Sequence, residues 1–218
     1  MRVKIDLKIF VLAVLFYFTK QIQTYIMIIG FAFIHELGHL FTGLLLGLKP
    51  EKIELSPSGL AIMFKLNTKD YNKKIMNSNL LEIKRIIIAL AGPFTNLIII
   101  IISSYLKFNT FTYLMIIYSN IILIIFNLLP ILPLDGGKIL NGILNIFLGK
   151  RKGMKYIYVI SYITIIVVTI FSSIAILYVK NIALFLIIIY LWYLFLKEEK
   201  KYKIRNAAYE IIEKKAWK

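Results

Sequence analysis

The sequence contains no cysteine, so disulfide bonds and thiolate metal sites are excluded. It has only two histidines in 218 residues, and 11 acidic against 27 basic residues give a formal net charge of +16. Charged residues make up 17% of the chain and hydrophobic residues 60%, which excludes an ordinary soluble domain. The basic excess alone would suit nucleic acid, but its distribution along the chain indicates a membrane surface instead, and we expect no nucleic-acid partner.

The sequence contains six long apolar stretches, at about residues 5–19, 24–47, 85–106, 111–130, 157–179 and 182–197. Most approach the roughly 20 residues that cross a bilayer core. They predict an all-α polytopic membrane protein of about six transmembrane helices in one domain, residues 1–197, with a basic cytoplasmic tail at 198–218. The amino-terminal stretch resembles a signal peptide, but no small-residue cleavage site follows it, so we expect a retained helix.

The basic residues are distributed unevenly between the predicted loops. The loops on one side of the membrane carry one each, Lys20, Lys107 and Lys180. All the others lie at the amino terminus, in 48–85, in 131–156 and in the tail. The positive-inside rule therefore predicts that both termini are cytoplasmic. Clusters such as Lys150-Arg151-Lys152, and the basic tail, are typical of anionic-lipid binding.

The two histidines belong to one short motif, His35-Glu36-Leu37-Gly38-His39, inside the second apolar stretch. Residues four apart in a helix project from the same face, which suits two nitrogen ligands of one zinc ion. The glutamate beside the first histidine can reach a water on that ion. Ionisable residues at membrane depth are costly and usually functional. The motif therefore predicts a hydrolytic Zn²⁺ site with His35 and His39 as ligands and Glu36 as the general base.

A hydrolytic zinc usually has three protein ligands and one open position. With no cysteine and no further histidine, the third ligand must be a carboxylate, and Asp135 is the candidate beside a transmembrane segment. It follows Pro130 and Pro133, which cannot continue a helix, so we expect the fourth span to unwind there. The alternative is that Asp135 only caps an apolar helix beginning near Gly137.

Together these motifs resemble the site-2 proteases, a family of intramembrane zinc metalloproteases. The resemblance rests on His-Glu-Leu-Gly-His, on Asn127…Pro-Leu-Asp-Gly-Gly and on Ala91-Gly92-Pro93-Phe94-Thr95-Asn96, and it covers about residues 24–145. Within the family the chain most resembles the sporulation stage IV factor FB proteases, which release sigma-K from its membrane-tethered precursor.

The resemblance implies the substrate, the cofactor and a further catalytic residue. It implies that one Zn²⁺ serves hydrolysis of a membrane-tethered protein such as pro-sigma-K in the bacterial cell membrane, with membrane inhibitor or activator proteins as further partners. It also assigns Asn127 to the substrate or to the developing oxyanion. The alternative for Asn127 is an interhelical hydrogen bond. We expect Gly38 and Asn96 to serve helix packing.

Two domains found in relatives of this kind are not expected here. No segment is long enough for a PDZ domain, and the residues after 197 are too few for a nucleotide-sensing CBS domain. After the second span, apolar residues alternate at 53 and 55 and at 60, 62, 64 and 66 around a Ser-Pro-Ser-Gly turn. This pattern predicts a small β-hairpin that could hold an extended substrate by strand addition or could lie on the lipid surface.

Two other functions fit parts of the sequence. A catalytically inactive site-2 homologue could act as a membrane regulator or scaffold, but it would not need the complete set of motif residues. A transporter with an intramembrane metal site is disfavoured because the chain shows no inverted repeat.

Overall fold

The computed structural model describes residues 2–5, 22–56, 59–65, 74–179 and 182–216. Within them, six helices are α1 (Ile22–Leu45), α2 (Lys74–Tyr105), α3 (Thr110–Asn127), α4 (Asp135–Leu148), α5 (Lys150–Val179) and α6 (Ile182–Ala216). Three strands, β1 (Arg2–Ile5), β2 (Lys49–Ser56) and β3 (Gly59–Lys65), complete the described structure. The span predicted at 5–19 lies, apart from its first residue, outside the described residues.

Four of the helices are long and apolar enough to cross a membrane, at Tyr25–Leu45, Asn79–Tyr105, Thr110–Asn127 and Lys150–Ala175. They coincide with the predicted second to fifth apolar stretches. Many of their large apolar side chains are exposed, as expected for surfaces that face lipid. The predicted fold class, an all-α membrane protein, is confirmed.

Helix α1 ends in a Schellman motif. Gly47 has a φ of +77°, its N–H bonds to the Leu44 carbonyl, and the Leu48 N–H bonds to the Gly43 carbonyl at 3.0 Å. The left-handed conformation at Gly47 stops the helix and turns the chain directly into β2. The Lys84 ammonium of α2 donates to the Leu46 carbonyl at 3.0 Å, which places a positive charge on the carboxyl end of α1.

The strands form one sheet in the order β1-β2-β3. Strands β2 and β3 pair antiparallel, with Ile53 opposite Ile62 and Ser56 opposite Gly59. Strand β1 pairs parallel with the other edge of β2. Strand β1, at the start of the first apolar stretch, was not predicted from the sequence.

The contacts divide the chain into two compact units, Met1–Leu128 and Leu129–Lys218. In the first unit α1 packs against α2 and α3, and in the second α5 packs against α4 and α6. Helix α6 continues without a break past residue 197, where the sequence analysis placed the start of the tail. In the first unit Gly38 permits a close approach, because a Cβ there would lie 3.0 Å from the Ala91 carbonyl oxygen. Its predicted packing role is confirmed.

The segment between α3 and α4 is irregular, as predicted from Pro130 and Pro133. Helix α3 ends at Asn127, and residues 128–134 form neither helix nor strand. Helix α4 begins at Asp135, two residues earlier than the sequence analysis expected.

Candidate metal centre

His35 and His39 lie one turn apart on α1 and are almost completely buried, at 2% and 4% exposure. Their ring centroids are 4.8 Å apart, and the rings meet edge to face at 87°. The i, i+4 spacing therefore places both imidazoles on one face of α1, as the motif predicts.

A backbone carbonyl orients the His39 ring. Its Nδ1 lies 2.6 Å from the Ile88 oxygen of α2. A carbonyl can only accept, so Nδ1 carries the proton in a neutral ring and Nε2 keeps its lone pair. This arrangement is typical of metal-ligating histidines, whose second nitrogen is held by a hydrogen bond.

Both Nε2 atoms converge on Gly92 of α2. A Cβ built at Gly92 would lie 2.5 Å from both Nε2 and Cε1 of His39, and it would also collide with Nε2 of His35. The two ligand nitrogens thus share a small cradle that any residue larger than glycine would fill. Such a cradle fits an ion held between the two rings.

Glu36 lies beside His35 on α1 and is half-buried. Its place in the motif is the one from which a carboxylate can act on a water next to the ligand pair.

Asp135 is the first residue of α4 and is 3% exposed. The N-cap of this helix is Leu134, so Asp135 does not occupy the cap position that the alternative reading gave it. The Lys138 ammonium donates to Asp135 Oδ1 at 2.8 Å, and the Lys138 side chain is half-exposed. A buried carboxylate needs a cationic partner, and Lys138 supplies one.

His35, His39 and Asp135 are each buried, and together they offer two imidazole nitrogens and one carboxylate oxygen. Two imidazole nitrogens and one carboxylate oxygen are a donor set that zinc prefers, with one position left for water. The group could therefore hold a metal ion.

Asn127, the last residue of α3, is half-buried. Its amide nitrogen donates to the Leu123 carbonyl of the same helix at 3.0 Å. This bond is intrahelical, unlike the interhelical bond that the sequence analysis considered. The catalytic role of Asn127 stays a prediction.

Asn96 lies one turn after Gly92 on α2 and is fully buried. Neither its amide nitrogen nor its oxygen has a hydrogen-bond partner among the described residues. A buried amide without a hydrogen bond costs free energy at membrane depth. Helix packing therefore explains why Asn96 is buried, but not why a polar residue occupies this position.

Three features of this region were not predicted from the sequence. The Ile88 carbonyl that orients His39 has no sequence signature, because any residue supplies a carbonyl. The role of Gly92 beside the two ligand nitrogens was not predicted, because a glycine in a helix is explained equally well by close helix packing. The Lys138–Asp135 pair could have been found from its i, i+3 spacing at the start of a predicted helix.

The chain matches known proteins at the level of a family model, of sequence and of structure. A family model described as peptidase family M50 matches residues 103–171, which include Asn127 and Asp135. A zinc metalloprotease from Methanocaldococcus jannaschii is 34% identical over 131 residues, and the match spans 56% of this chain and only 34% of the relative. The solved structure of a site-2 protease from the same organism matches with a TM-score of 0.65 and 25% identity, covering 90% of this chain and 89% of the other.

Proposed function

Since all three matches support the site-2 protease family, peptidase M50, we propose that this protein is an intramembrane zinc metalloprotease. It hydrolyses a peptide bond of a membrane-tethered protein. The observation that carries the proposal is the convergence of the His35 and His39 Nε2 atoms over Gly92, and the buried carboxylate of Asp135 can complete the donor set.

In this proposal His35, His39 and Asp135 hold one Zn²⁺. When bound, zinc supplies Lewis acidity, which lowers the pKa of a coordinated water and polarises the scissile carbonyl. The protein's part is to hold the ligands in place. The Ile88 carbonyl keeps the His39 ring in the tautomer whose Nε2 can donate its lone pair.

Glu36 takes the proton from the attacking water and passes it to the leaving amine. Asn127 lies upstream of the proposed carboxylate ligand and would donate its amide hydrogen to the substrate or to the developing oxyanion. To do so it must give up its bond to the Leu123 carbonyl, which is an ordinary exchange of one hydrogen bond for another.

A helical substrate must unwind before its amide bonds are accessible, and strand β3 offers an edge for the unwound segment. Strand β1 already covers the outer edge of β2, which leaves the outer edge of β3 without a pairing strand among the described residues. An extended peptide could add there.

We place both termini in the cytoplasm and expect anionic lipids to bind at one end of the second unit. The rings of Tyr158 on α5 and Tyr202 on α6 stack with centroids 4.3 Å apart. This contact brings the basic start of α5, residues 150–155, to the same end as the basic stretch 197–205 of α6. Such a surface suits anionic headgroups.

The finer assignment, a sporulation-type protease acting on pro-sigma-K under the control of membrane inhibitor or activator proteins, rests on the resemblance in the sequence. A noncatalytic membrane scaffold is the rival function. The complete donor set and the adjacent Glu36 favour the enzyme, since binding a partner requires neither.

The proposed function is tested by Glu36→Gln, which keeps the shape of the side chain and all three ligands. The purified wild type and variant are compared for zinc content and, after co-expression with a panel of tethered sigma-factor precursors and anti-sigma factors, for cleavage. We expect zinc to stay bound and cleavage to fall by about 10²–10⁴-fold, the usual contribution of a general base. Unchanged cleavage in the zinc-loaded variant would refute the proposed mechanism.

A further inference from the structure

One polar side chain holds the irregular segment that precedes Asp135. Ser161 lies in the apolar middle of α5 and is fully buried, with no exposed surface. Its hydroxyl donates to the Pro130 carbonyl at 3.2 Å and accepts from the Leu132 N–H at 3.2 Å. A single hydroxyl thus satisfies one acceptor and one donor of the segment.

The same segment also packs against α4. A Cβ at Gly137 would lie 2.5 Å from the Ile131 carbonyl carbon and oxygen and 2.7 Å from the Leu132 nitrogen. The Ile131–Leu132 peptide therefore packs directly on the first turn of α4, and the Ile131 side chain is 1% exposed. Ser161 and Gly137 together clamp this peptide.

Only two residues, Pro133 and Leu134, separate the Ile131–Leu132 peptide from Asp135. Proline has no N–H, so residues 130–134 carry three N–H groups, at Ile131, Leu132 and Leu134. Leu134 donates within the segment, to the Ile131 carbonyl, and Ile131 donates to the Leu129 carbonyl just before it, whereas Leu132 donates to Ser161. Leu134 is the N-cap of α4, and Asp135 follows it as the first helical residue.

We propose that Ser161 is a positioning residue, which fixes segment 130–134 and thereby places the Asp135 carboxylate for metal binding. The inference rests on the proposed zinc site. A serine that bonds a neighbouring segment only to stabilise packing is the ordinary alternative, and it predicts no effect on metal affinity beyond the loss of stability. The two alternatives differ in what removal of the hydroxyl does to zinc binding.

The test is Ser161→Ala, with Ser173→Ala as the matched control. Ser173 lies on the same helix, and its hydroxyl donates only along that helix, to the Thr169 carbonyl at 2.8 Å. Zinc affinity is measured on the purified full chain by competition with a chelating indicator. Hydrogen–deuterium exchange of segment 130–134 is measured on the metal-free protein, so this readout does not depend on the ion.

We expect Ser161→Ala to bind zinc about tenfold or more weakly, in line with other residues that support metal ligands. Segment 130–134 should also exchange faster in this variant, and Ser173→Ala should match the wild type in both readouts. If Ser161→Ala does not fold, Ser161→Cys, which keeps the size of the side chain and a weak donor, is measured by hydrogen–deuterium exchange on the metal-free protein, where the same faster exchange is expected.

Three results would overturn the inference, and they are distinguishable. Wild-type zinc affinity in the alanine variant removes the positioning role but leaves the zinc site standing. Equal losses in the Ser161 and Ser173 variants reduce the effect to general destabilisation. A wild type that binds no zinc at all overturns the proposed function, and the inference that depends on it falls with it.

Discussion

At the scale of single residues, the proposed metal centre depends on two groups other than its proposed ligands. The Ile88 carbonyl fixes the proton of His39 on Nδ1, and the missing side chain of Gly92 leaves room beside both Nε2 atoms. The first group sets which nitrogen can bind a metal, and the second sets whether an ion fits. Both belong to α2, the helix against which α1 packs.

Gly92→Ala should empty the metal centre without unfolding the protein. The three atoms nearest to the added methyl all belong to the His35 and His39 imidazoles, whose rings would have to shift, and alanine gains about 0.8–1.0 kcal/mol of helix propensity over glycine. We therefore expect zinc affinity to fall by at least about tenfold, as for other residues next to metal ligands, with little change in the unfolding temperature of the metal-free protein. Zinc titration and thermal unfolding measure the two effects.

Gly30→Ala is the matched control for this variant. Gly30 lies on α1, and a Cβ there would have nothing within 4 Å. It makes the same chemical change in a transmembrane helix and should leave zinc affinity unchanged. Equal affinity in the Gly92 and Gly30 variants would contradict the placement of the ion.

The ligand candidates could be predicted from the sequence because each belongs to a rare residue type in an apolar chain. Two histidines four residues apart and one acidic residue after two prolines leave few combinations. The groups that position them could not be predicted in the same way. Ile88 acts through a carbonyl that every residue has, and Ser161 is one of several serines and threonines in apolar helices, most of which bond their own helix.

At the scale of elements, the Schellman motif at Gly47 brings the sheet next to the helix that carries the histidines. Only two residues, Gly47 and Leu48, separate the Ccap of α1 from the start of β2. Strand β3 also packs against α1. A peptide added to the edge of β3 would therefore lie beside the helix that bears His35 and His39.

Ile62→Pro tests this use of the edge. Ser56 pairs with Gly59 across a two-residue connection, and such hairpins close on a hydrogen-bonded pair. Alternation then makes Ile53 and Ile62 a non-hydrogen-bonded pair, so the Ile62 N–H points away from β2. Proline removes this donor, and we expect cleavage of a tethered substrate to fall by about tenfold, the effect of losing roughly one hydrogen bond.

Ile62→Ala keeps the N–H and serves as the control, with cleavage expected near the wild-type rate. Zinc content should be normal in both variants, since the change lies outside the metal centre. Full cleavage by the proline variant would exclude strand addition at this position.

The boundaries of the elements were harder to predict than their existence. Helix α2 begins at Lys74 rather than near 85, because a helix can extend past the apolar part that crosses the bilayer. There Glu82 is buried and pairs with Arg85 at 2.9 Å, so its charge is compensated. Strand β1 was missed because its four residues directly precede an apolar stretch and depend on a partner strand 50 residues away.

At the scale of the whole molecule, the lengths of the apolar stretches and the positions of the basic residues predict how the chain crosses the membrane. The chain has no cysteine, so single introduced cysteines report topology directly. Lys107 lies between α2 and α3, and Lys152 lies near the start of α5; both are exposed. The charge distribution predicts that these positions face opposite sides of the membrane.

Lys107→Cys should react with a membrane-impermeant maleimide in intact cells, and Lys152→Cys only after permeabilisation. The cysteine-free parent is the control for background labelling. Labelling of Lys152→Cys in intact cells would reverse the predicted orientation and place the basic end of α5 and α6 outside.

The central claim is that one zinc ion is held by His35, His39 and Asp135. It is tested most directly by the zinc content per chain of the purified wild type and of Asp135→Asn, which keeps the size of the side chain but removes its charge. The proposed centre predicts one zinc per wild-type chain and a large loss in the variant. A wild type that cleaves its substrate while free of metal, or a variant that retains zinc with wild-type affinity, would contradict it.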